Sequence, residues 1–143
     1  MSEFKLQMRV YFEDTDAAGI VYHANYLKFM ERARTEWLRF LGYDQRDLNR
    51  EHQVGFVVRK MDIDFIRPAY LDDQIEVVST VKRCGKASIV FVQSVARGNE
   101  YADEHANLQV LCRAEVKVGC IDLNTGSPQA MAEKLYREIK NAS

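Results

Sequence analysis

The chain has 143 residues, of which 47% are hydrophobic and 10% aromatic, so it can form one domain with a core but is too short for two. We therefore expect a single domain over residues 1–143. The formal net charge is −1, from 20 basic and 21 acidic residues, which gives no general attraction to nucleic acid or an anionic membrane. We do not expect nucleic acid to be a partner.

The sequence also limits localisation and metal binding. The N-terminal residues have no apolar signal region, and no later run approaches the ~20 apolar residues of a membrane span, so we expect a cytoplasmic protein. Cys84, Cys112 and Cys120 are odd in number and show no Cys-x-x-Cys spacing, which argues against a disulfide framework or a zinc cluster. The three histidines lie far apart, and we expect neither a metal nor a cofactor.

The first element is a predicted strand over residues 4–12, where apolar and polar residues alternate. Its apolar face consists of Phe4, Leu6, Met8, Val10 and Phe12. A turn that carries Asp14 and Asp16 follows this strand. The turn leads directly into a segment with a different periodicity.

That segment is a predicted long helix. After Tyr26, apolar residues recur at helical spacing with charged residues between them, and Gly42 can adopt the left-handed conformation that ends a helix. At ~1.5 Å per residue, this helix is long enough to cross a small domain, so we expect a sheet to wrap around it. Asp44 is then predicted to cap a short helix that extends to about Glu51.

The rest of the chain predicts four strands and a terminal helix. The strands cover residues 56–66, 74–83, 87–96 and 108–120. The third of them is apolar on both faces, which is typical of a central strand. Ser127 and Pro128 predict the N-cap and first turn of the last helix. Because helices and strands are segregated, we expect an α+β fold with a largely antiparallel sheet.

Several hydrolase classes are disfavoured because their motifs are missing. The chain has no Gly-x-Ser-x-Gly elbow, no phosphate-binding glycine loop and no His-Glu-x-x-His. The Asp-Thr-Asp turn, with Gly19 and His23 after it, is the remaining candidate for a reactive site. The same residues also suit a purely structural turn, since short acidic side chains often cap helices.

The turn carries groups that can act on an activated carbonyl. An ordinary aspartate is ionised at pH 7, so Asp16 can attack such a carbonyl or deprotonate a water molecule. Amides of the first helical turn can bind the oxyanion that results. His23 could hold the substrate, assist the leaving group, or serve only as a structural hydrogen-bonding residue, and the sequence leaves these roles open.

Residues 11–26, with the pattern Asp-Thr-Asp-x-x-Gly-x-Val-Tyr-His-x-Asn-Tyr, resemble the signature of the 4-hydroxybenzoyl-CoA thioesterase family, and in particular its YbgC-like acyl-CoA thioesterase branch. The similarity continues through residues 31–36, 56–61 and 67–73 and covers most of the chain. It implies a hot-dog fold, in which an antiparallel sheet curls around a long helix, and hydrolysis of acyl-CoA to free acid and CoA. It also implies a homo-oligomer, either a dimer or a homotetramer of dimers, with its active site where two subunits meet.

The resemblance implies roles for individual residues. The catalytic carboxylate of such enzymes is the second aspartate of the motif, which is Asp16 here. The amide that polarises the thioester carbonyl falls on or near His23. Tyr22, Tyr26 and Val57 are expected to shape the acyl pocket across a subunit interface, and Tyr22 is the predicted substrate contact among them.

The segment from Lys82 to Ser88 places three cations and a hydroxyl group around a turn, which suits contacts with CoA phosphates and pantetheine. Its candidate CoA-binding residues are Arg83, Lys86 and Ser88, which resemble the family's Arg-x-Gly-x-x-Ser segment. Arg59 is a weaker candidate. A solvated hairpin tip is the alternative interpretation of the same residues.

Three questions stay open at this level. The sequence does not determine the length of the acyl chain, whether the acyl group is aromatic or aliphatic, or whether Asp16 acts as nucleophile or general base. Thioesters of acyl carrier protein are alternative substrates. A second hypothesis is a non-catalytic subunit that binds acyl carrier protein or a lipid enzyme on the same fold. A hot-dog dehydratase is less favoured because its Pro-Gly-His features are missing.

The connection over residues 97–107 is longer and more acidic than this branch leads us to expect. It contains Glu100, Asp103, Glu104 and His105. We predict an exposed loop. If it folds over a neighbouring subunit or the acyl pocket, chain-length preference and assembly would differ from those usual in the family.

Overall fold

A computed structural model describes residues 2–98 and 109–142. Its elements are β1 (Phe4–Arg9), α1 (Asn25–Phe40), α2 (Gln45–Glu51), β2 (Val54–Phe65), β3 (Gln74–Cys84), β4 (Ser88–Arg97), β5 (Gln109–Asp122) and α3 (Glu133–Ala142). The strands form one antiparallel sheet in the order β1-β3-β4-β5-β2, and α1 packs against it. The expected α+β fold is confirmed. The acidic residues of the 97–107 connection lie outside the described residues.

Helix α1 provides one side of the core. Its apolar stripe is buried and comprises Tyr26, Phe29, Met30, Ala33, Trp37 and Leu38. The ring of Trp37 meets that of Phe91 on β4 edge to face, with centroids 5.1 Å apart. The helix ends as predicted, because Gly42 has a φ of +96° and the next amide donates back to the carbonyl of Leu38 at 3.1 Å.

The sheet has a fully covered centre and an exposed end. Strand β4 lies between β3 and β5 and is buried on both faces, which confirms the predicted central strand. Strand β2 is the last in the sheet, and its outer edge has no partner strand among the described residues. Val57, Val58 and Phe65 on β2 are 38 to 48% exposed. An unpaired edge with apolar side chains is a surface suited to pairing with another strand.

The first predicted strand was too long. Strand β1 ends at Arg9, and residues 12–14 form a single 3-10 turn. Phe12 is therefore 82% exposed instead of buried with the apolar face. The cause is local, because the Asp14 carboxylate accepts the Tyr11 amide at 2.8 Å and bends the chain out of the sheet.

The predicted start of the terminal helix was also wrong. Helix α3 begins at Glu133, and Ser127 and Pro128 belong to an extended segment before it. Pro128 bridges to Ile121, and the Gln129 amide donates to the carbonyl of Cys120 at 2.9 Å. Because these bonds attach the segment to the end of β5, tertiary contacts override the local helix signal.

Candidate active site

The turn before α1 is held together by Asp14. Its carboxylate accepts the Tyr11 amide at 2.8 Å, and its carbonyl oxygen accepts both the Tyr22 amide at 3.0 Å and the Asn25 side-chain amide at 2.8 Å. These three bonds tie the end of β1 to the beginning of α1. Asp14 therefore has a structural role in the turn.

The chain then makes a tight reversal that carries Asp16 at its tip. The Asp16 amide donates to the carbonyl of Ile20 at 2.9 Å, and the Gly19 amide donates to the carbonyl of Asp16 at 3.0 Å. Gly19 has a φ of +78°, a conformation in which other residues are strained. The reversal is anchored to the connection between β2 and β3, because the Val21 amide donates to the carbonyl of Ala69 at 2.9 Å.

The Asp16 carboxylate is exposed at this tip. One of its oxygens accepts the Ala18 amide at 2.8 Å, which fixes the orientation of the side chain. No cation pairs with it among the described residues. The other oxygen has no protein partner there either, so the side chain presents an unpaired carboxylate oxygen to solvent.

The start of α1 supplies N–H donors beside this turn. The amides of Asn25, Tyr26 and Leu27 donate to carbonyls three residues earlier. The amides of His23 and Ala24 have no acceptor within the described part of the chain, and Ala24, at the N-cap position, makes no side-chain cap. The first turn of the helix also lacks an acidic residue. These two amides and the helix dipole therefore favour a negatively charged oxygen at this position.

His23 and Tyr22 form the aromatic rim of the same site. Both side chains are exposed, and their rings lie 4.6 Å apart between centroids. The His23 ring also approaches Phe65 at the end of β2 at 5.8 Å. Tyr26 is different, because it is buried and its hydroxyl accepts the Ala69 amide at 3.0 Å, while burial raises its pKa. Tyr26 therefore supports the turn through Ala69, whose carbonyl oxygen accepts the Val21 amide.

The four candidate CoA-binding residues form a second cluster. Arg83, Lys86 and Ser88 lie at the turn between β3 and β4, where the Gly85 amide donates to the carbonyl of Ser88 at 2.8 Å. Arg59 lies at a bulge in β2 and extends over Gly119, the β5 residue paired with Ser88. The structure thus brings Arg59 to the strand pair that contains Ser88, although the two residues are distant in sequence.

Gly119 was missed at the sequence level. A Cβ atom there would lie only 2.6 Å from Cδ of Arg59, so the glycine allows the arginine to lie flat across β5. A glycine inside an otherwise alternating strand is a signal of such a close approach. Lys117, two residues before Gly119 and therefore on the same face of β5, adds a further cation to the cluster.

The two clusters lie at opposite ends of the molecule. The Asp16 turn bridges to Tyr70 just before β3, whereas Arg83 is near the other end of that strand. At ~3.3 Å per residue, the separation along β3 is about 30 Å. Within one chain, the Asp16 turn and the basic cluster are therefore far apart.

The described part of the chain shows neither a membrane-spanning helix nor a metal-binding group. Within residues 2–98 and 109–142, no helix is long and apolar enough to cross a membrane. The same residues contain no group of three or more His, Cys, Asp or Glu side chains placed to hold a metal ion. Cys84, Cys112 and Cys120 are free and buried, and burial raises the pKa of each thiol, to about 12 for Cys112.

A sheet around a central helix, with a carboxylate turn at the start of that helix, defines the class of hot-dog thioesterases. The chain belongs to the thioesterase-like superfamily, whose family model matches residues 10–139. It is 43% identical over 132 residues to the acyl-CoA thioesterase YbgC of Haemophilus influenzae, which covers 92% of this chain and 90% of that protein. It is 41% identical to the acyl-CoA thioester hydrolase YbgC of Escherichia coli, covering 96% of both chains.

A solved structure supports the same assignment. The crystal structure of a probable thioesterase from Bartonella henselae superposes with a TM-score of 0.81 at 34% sequence identity, over 92% of this chain and all of that one. The thioesterase and the hot-dog fold expected from the sequence are thereby confirmed. The roles of Asp16, His23, Tyr22, Arg59, Arg83, Lys86 and Ser88 stay predictions.

Proposed function

We propose that this thioesterase hydrolyses acyl-CoA to a free acid and CoA, and that Asp16 supplies the catalytic carboxylate. One observation carries the proposal: the exposed, unpaired carboxylate of Asp16 shares a turn with the free amides of His23 and Ala24. The names of the YbgC relatives support the choice of acyl-CoA as substrate.

The chemistry follows from these two features. The amides at the start of α1 donate hydrogen bonds to the thioester oxygen and stabilise the negative charge that develops on it. In one route, Asp16 attacks the carbonyl carbon, the CoA thiolate leaves, and water hydrolyses the resulting acyl-Asp16 anhydride to release the acid. In the other, Asp16 deprotonates a water molecule, whose attack on the carbonyl carbon expels the CoA thiolate. Both routes need the same charged oxygen. The rings of Tyr22 and His23 lie beside the reacting group. The CoA moiety is held by Arg59, Arg83, Lys86 and Ser88.

The proposal includes a homo-oligomer, because the Asp16 turn and the basic cluster lie far apart in one chain. The free edge of β2 supports a dimer, since a second copy can add its own β2 and remove both unpaired edges. The site then forms at the junction of subunits, with Asp16 from one and CoA contacts from another. Sedimentation of the full chain tests this assembly, and a monomer that hydrolyses acyl-CoA at full rate would contradict it.

A thiol-release assay tests the reaction itself. The full chain is incubated with acetyl-, hexanoyl-, decanoyl- and benzoyl-CoA, and free CoA is measured with a thiol-reactive dye. We expect turnover that depends on Asp16. If the protein binds acyl carrier protein but releases no thiol from any of these substrates, the non-catalytic alternative is correct.

A further inference from the structure

The connection between β2 and β3, residues 66–73, holds the tight reversal that precedes α1. Ala69, in the middle of this connection, is fully buried, and both of its backbone groups bond to elements of the site. Its amide donates to the Tyr26 hydroxyl at 3.0 Å, and its carbonyl oxygen accepts the Val21 amide at 2.9 Å. The next residue, Tyr70, also bridges to the reversal. The position of Ala69 therefore helps to place the reversal relative to the first turn of the helix.

Arg97, at the end of β4, contacts the connection on both sides of Ala69. Its Nη1 atom donates to the carbonyl of Pro68 at 3.1 Å and to the Asp73 carboxylate at 2.9 Å. The same carboxylate oxygen accepts the Tyr70 amide at 2.8 Å, and the guanidinium lies 5.6 Å from the centroid of the Tyr70 ring. One side chain thus holds the residue before Ala69 directly and the residue after it through Asp73.

The ion pair between Arg97 and Asp73 is more sheltered than the others in the described part of the chain. Its two side chains are 23% and 22% exposed, whereas every other ion pair there has at least one side chain that is more than half exposed or nearly so. Water screens a sheltered pair less than an exposed one. The guanidinium also donates to the Gln109 side chain on β5 at 2.5 Å, which fixes its plane.

The ends of the connection are fastened separately from its middle. At one end, two amides donate to the carbonyl of Leu111 at 2.8 and 3.0 Å, and near the other end the Asp72 amide donates to the carbonyl of Val10 at 3.0 Å. These bonds join backbone groups and do not involve the side chain of Arg97. Loss of that side chain would therefore loosen residues 68–70, while the ends of the connection would stay attached to the sheet.

We propose that Arg97 is a positioning residue of the active site. It holds Ala69, and through Ala69 it keeps the Asp16 carboxylate in place beside the amides that open α1. This inference rests on the proposed hydrolysis by Asp16, and Arg97 itself does not act on the thioester. Reacting groups must be held close to their productive geometry, and a displacement of about 1 Å can lower the rate about 10²-fold. A looser connection should therefore lower kcat although no reacting group is removed.

The first test replaces Arg97 and measures kcat and KM separately, with the acyl-CoA that the unmodified chain hydrolyses fastest. Arg97→Met should lower kcat about tenfold and change KM by less than about twofold. Arg97→Lys should keep kcat within about threefold of the unmodified chain, because an ammonium group can still donate to Pro68 and Asp73. If Arg97→Met has the kcat of the unmodified chain, whatever its Tm, the contact is only structural and the inference is overturned.

Arg67→Met is the matched control for this change. Arg67 belongs to the same connection, but its side chain donates to the carbonyl of Val110 on β5 at 3.4 Å. We expect its kcat to be unchanged, and a loss equal to that of Arg97→Met would overturn the specific role. If Arg97→Met does not fold, Asp73→Asn decides the question. Asparagine keeps the acceptor for the Tyr70 amide and loses the charge, so kcat should fall about threefold, and an unchanged kcat would overturn the inference.

A double-mutant cycle tests the route through Ala69. Tyr26→Phe removes the acceptor of the Ala69 amide and keeps the aromatic ring. Because both side chains act on the same residue, the double variant with Arg97→Met should lose about as much kcat as the more damaged single variant. A loss equal to the product of the two single losses would show independent effects and would overturn this route.

Asp16→Asn separates this inference from the proposed function. If Asp16→Asn loses kcat and Arg97→Met does not, the positioning role fails and the catalytic role of Asp16 stands. If Asp16→Asn keeps its kcat, or if the unmodified chain hydrolyses no acyl-CoA, the proposed function fails and the positioning role fails with it. Loss of kcat in both variants, with recovery in Arg97→Lys, supports both proposals.

Discussion

Replacing Asp16 with Asn removes the negative charge of the side chain and keeps the shape of the turn. The asparagine oxygen can still accept the Ala18 amide, and the side chain is exposed in either form, so the fold should not change. Exposed substitutions of this kind alter the free energy of unfolding by about 0.5 kcal/mol or less, which corresponds to roughly 2 °C in Tm. The carboxylate itself is lost completely.

The expected kinetic effect of this change is much larger. Removal of a general base or nucleophile lowers kcat by about 10²–10⁴-fold, which is roughly 3 to 5.5 kcal/mol of transition-state stabilisation. The thiol-release assay measures it directly. The protein's own thiols should contribute little background, because all three are buried and their pKa values are raised.

The refuting result for Asp16→Asn is a kcat within about tenfold of the unmodified chain at unchanged Tm. In that case the carboxylate would not take part in the reaction, and the turn would be purely structural. A large loss of Tm together with kcat would also contradict the reasoning, because it would show that Asp16 stabilises the turn as Asp14 does.

Three other changes test neighbouring features. Asp14→Ala removes the acceptor of the Tyr11 amide and should lower the free energy of unfolding by about 0.5–2 kcal/mol, which urea unfolding measures. Its kcat at saturating substrate should decrease less than that of Asp16→Asn. Gly119→Ala should displace the Arg59 side chain and raise KM for acyl-CoA about tenfold with kcat unchanged; an unchanged KM would remove Arg59 from the CoA site. Burial raises the pKa of the Cys112 thiol to about 12 in the folded protein, whereas the pKa of an unfolded thiol is ~8.5. The folded state is therefore not penalised by this thiol below pH ~8.5, and the free energy of unfolding decreases as the pH rises from there towards 12. At pH 10 the loss is about 2 kcal/mol relative to pH 7, and Cys112→Ala should remove that part of the decrease in unfolding free energy.

The order of elements could be predicted because each has a clear period. The helical spacing between Tyr26 and Gly42 and the strict alternation up to Cys120 reflect faces that are buried on one side. The predictions failed where particular hydrogen bonds override the pattern of apolar residues. Phe12 is exposed because of the Asp14 cap, and Pro128 is extended because its segment bonds to β5.

The candidate site could be predicted only in part for a related reason. Asp16 and His23 belong to one continuous segment, so their proximity follows from the turn between them. Arg59 reaches Ser88 only through strand pairing across Gly119, and that pairing depends on a bulge in β2 that no residue pattern marks.

The free edge of β2 has a genetic consequence. If each site takes Asp16 from one chain and its CoA contacts from the other, two chains with different defects can repair each other. Mixed dimers of Asp16→Asn with a chain whose CoA contacts are removed would contain one doubly damaged site and one intact site. Co-expression of the two inactive forms would then restore about a quarter of the normal sites, since random exchange between symmetric dimers yields half mixed pairs.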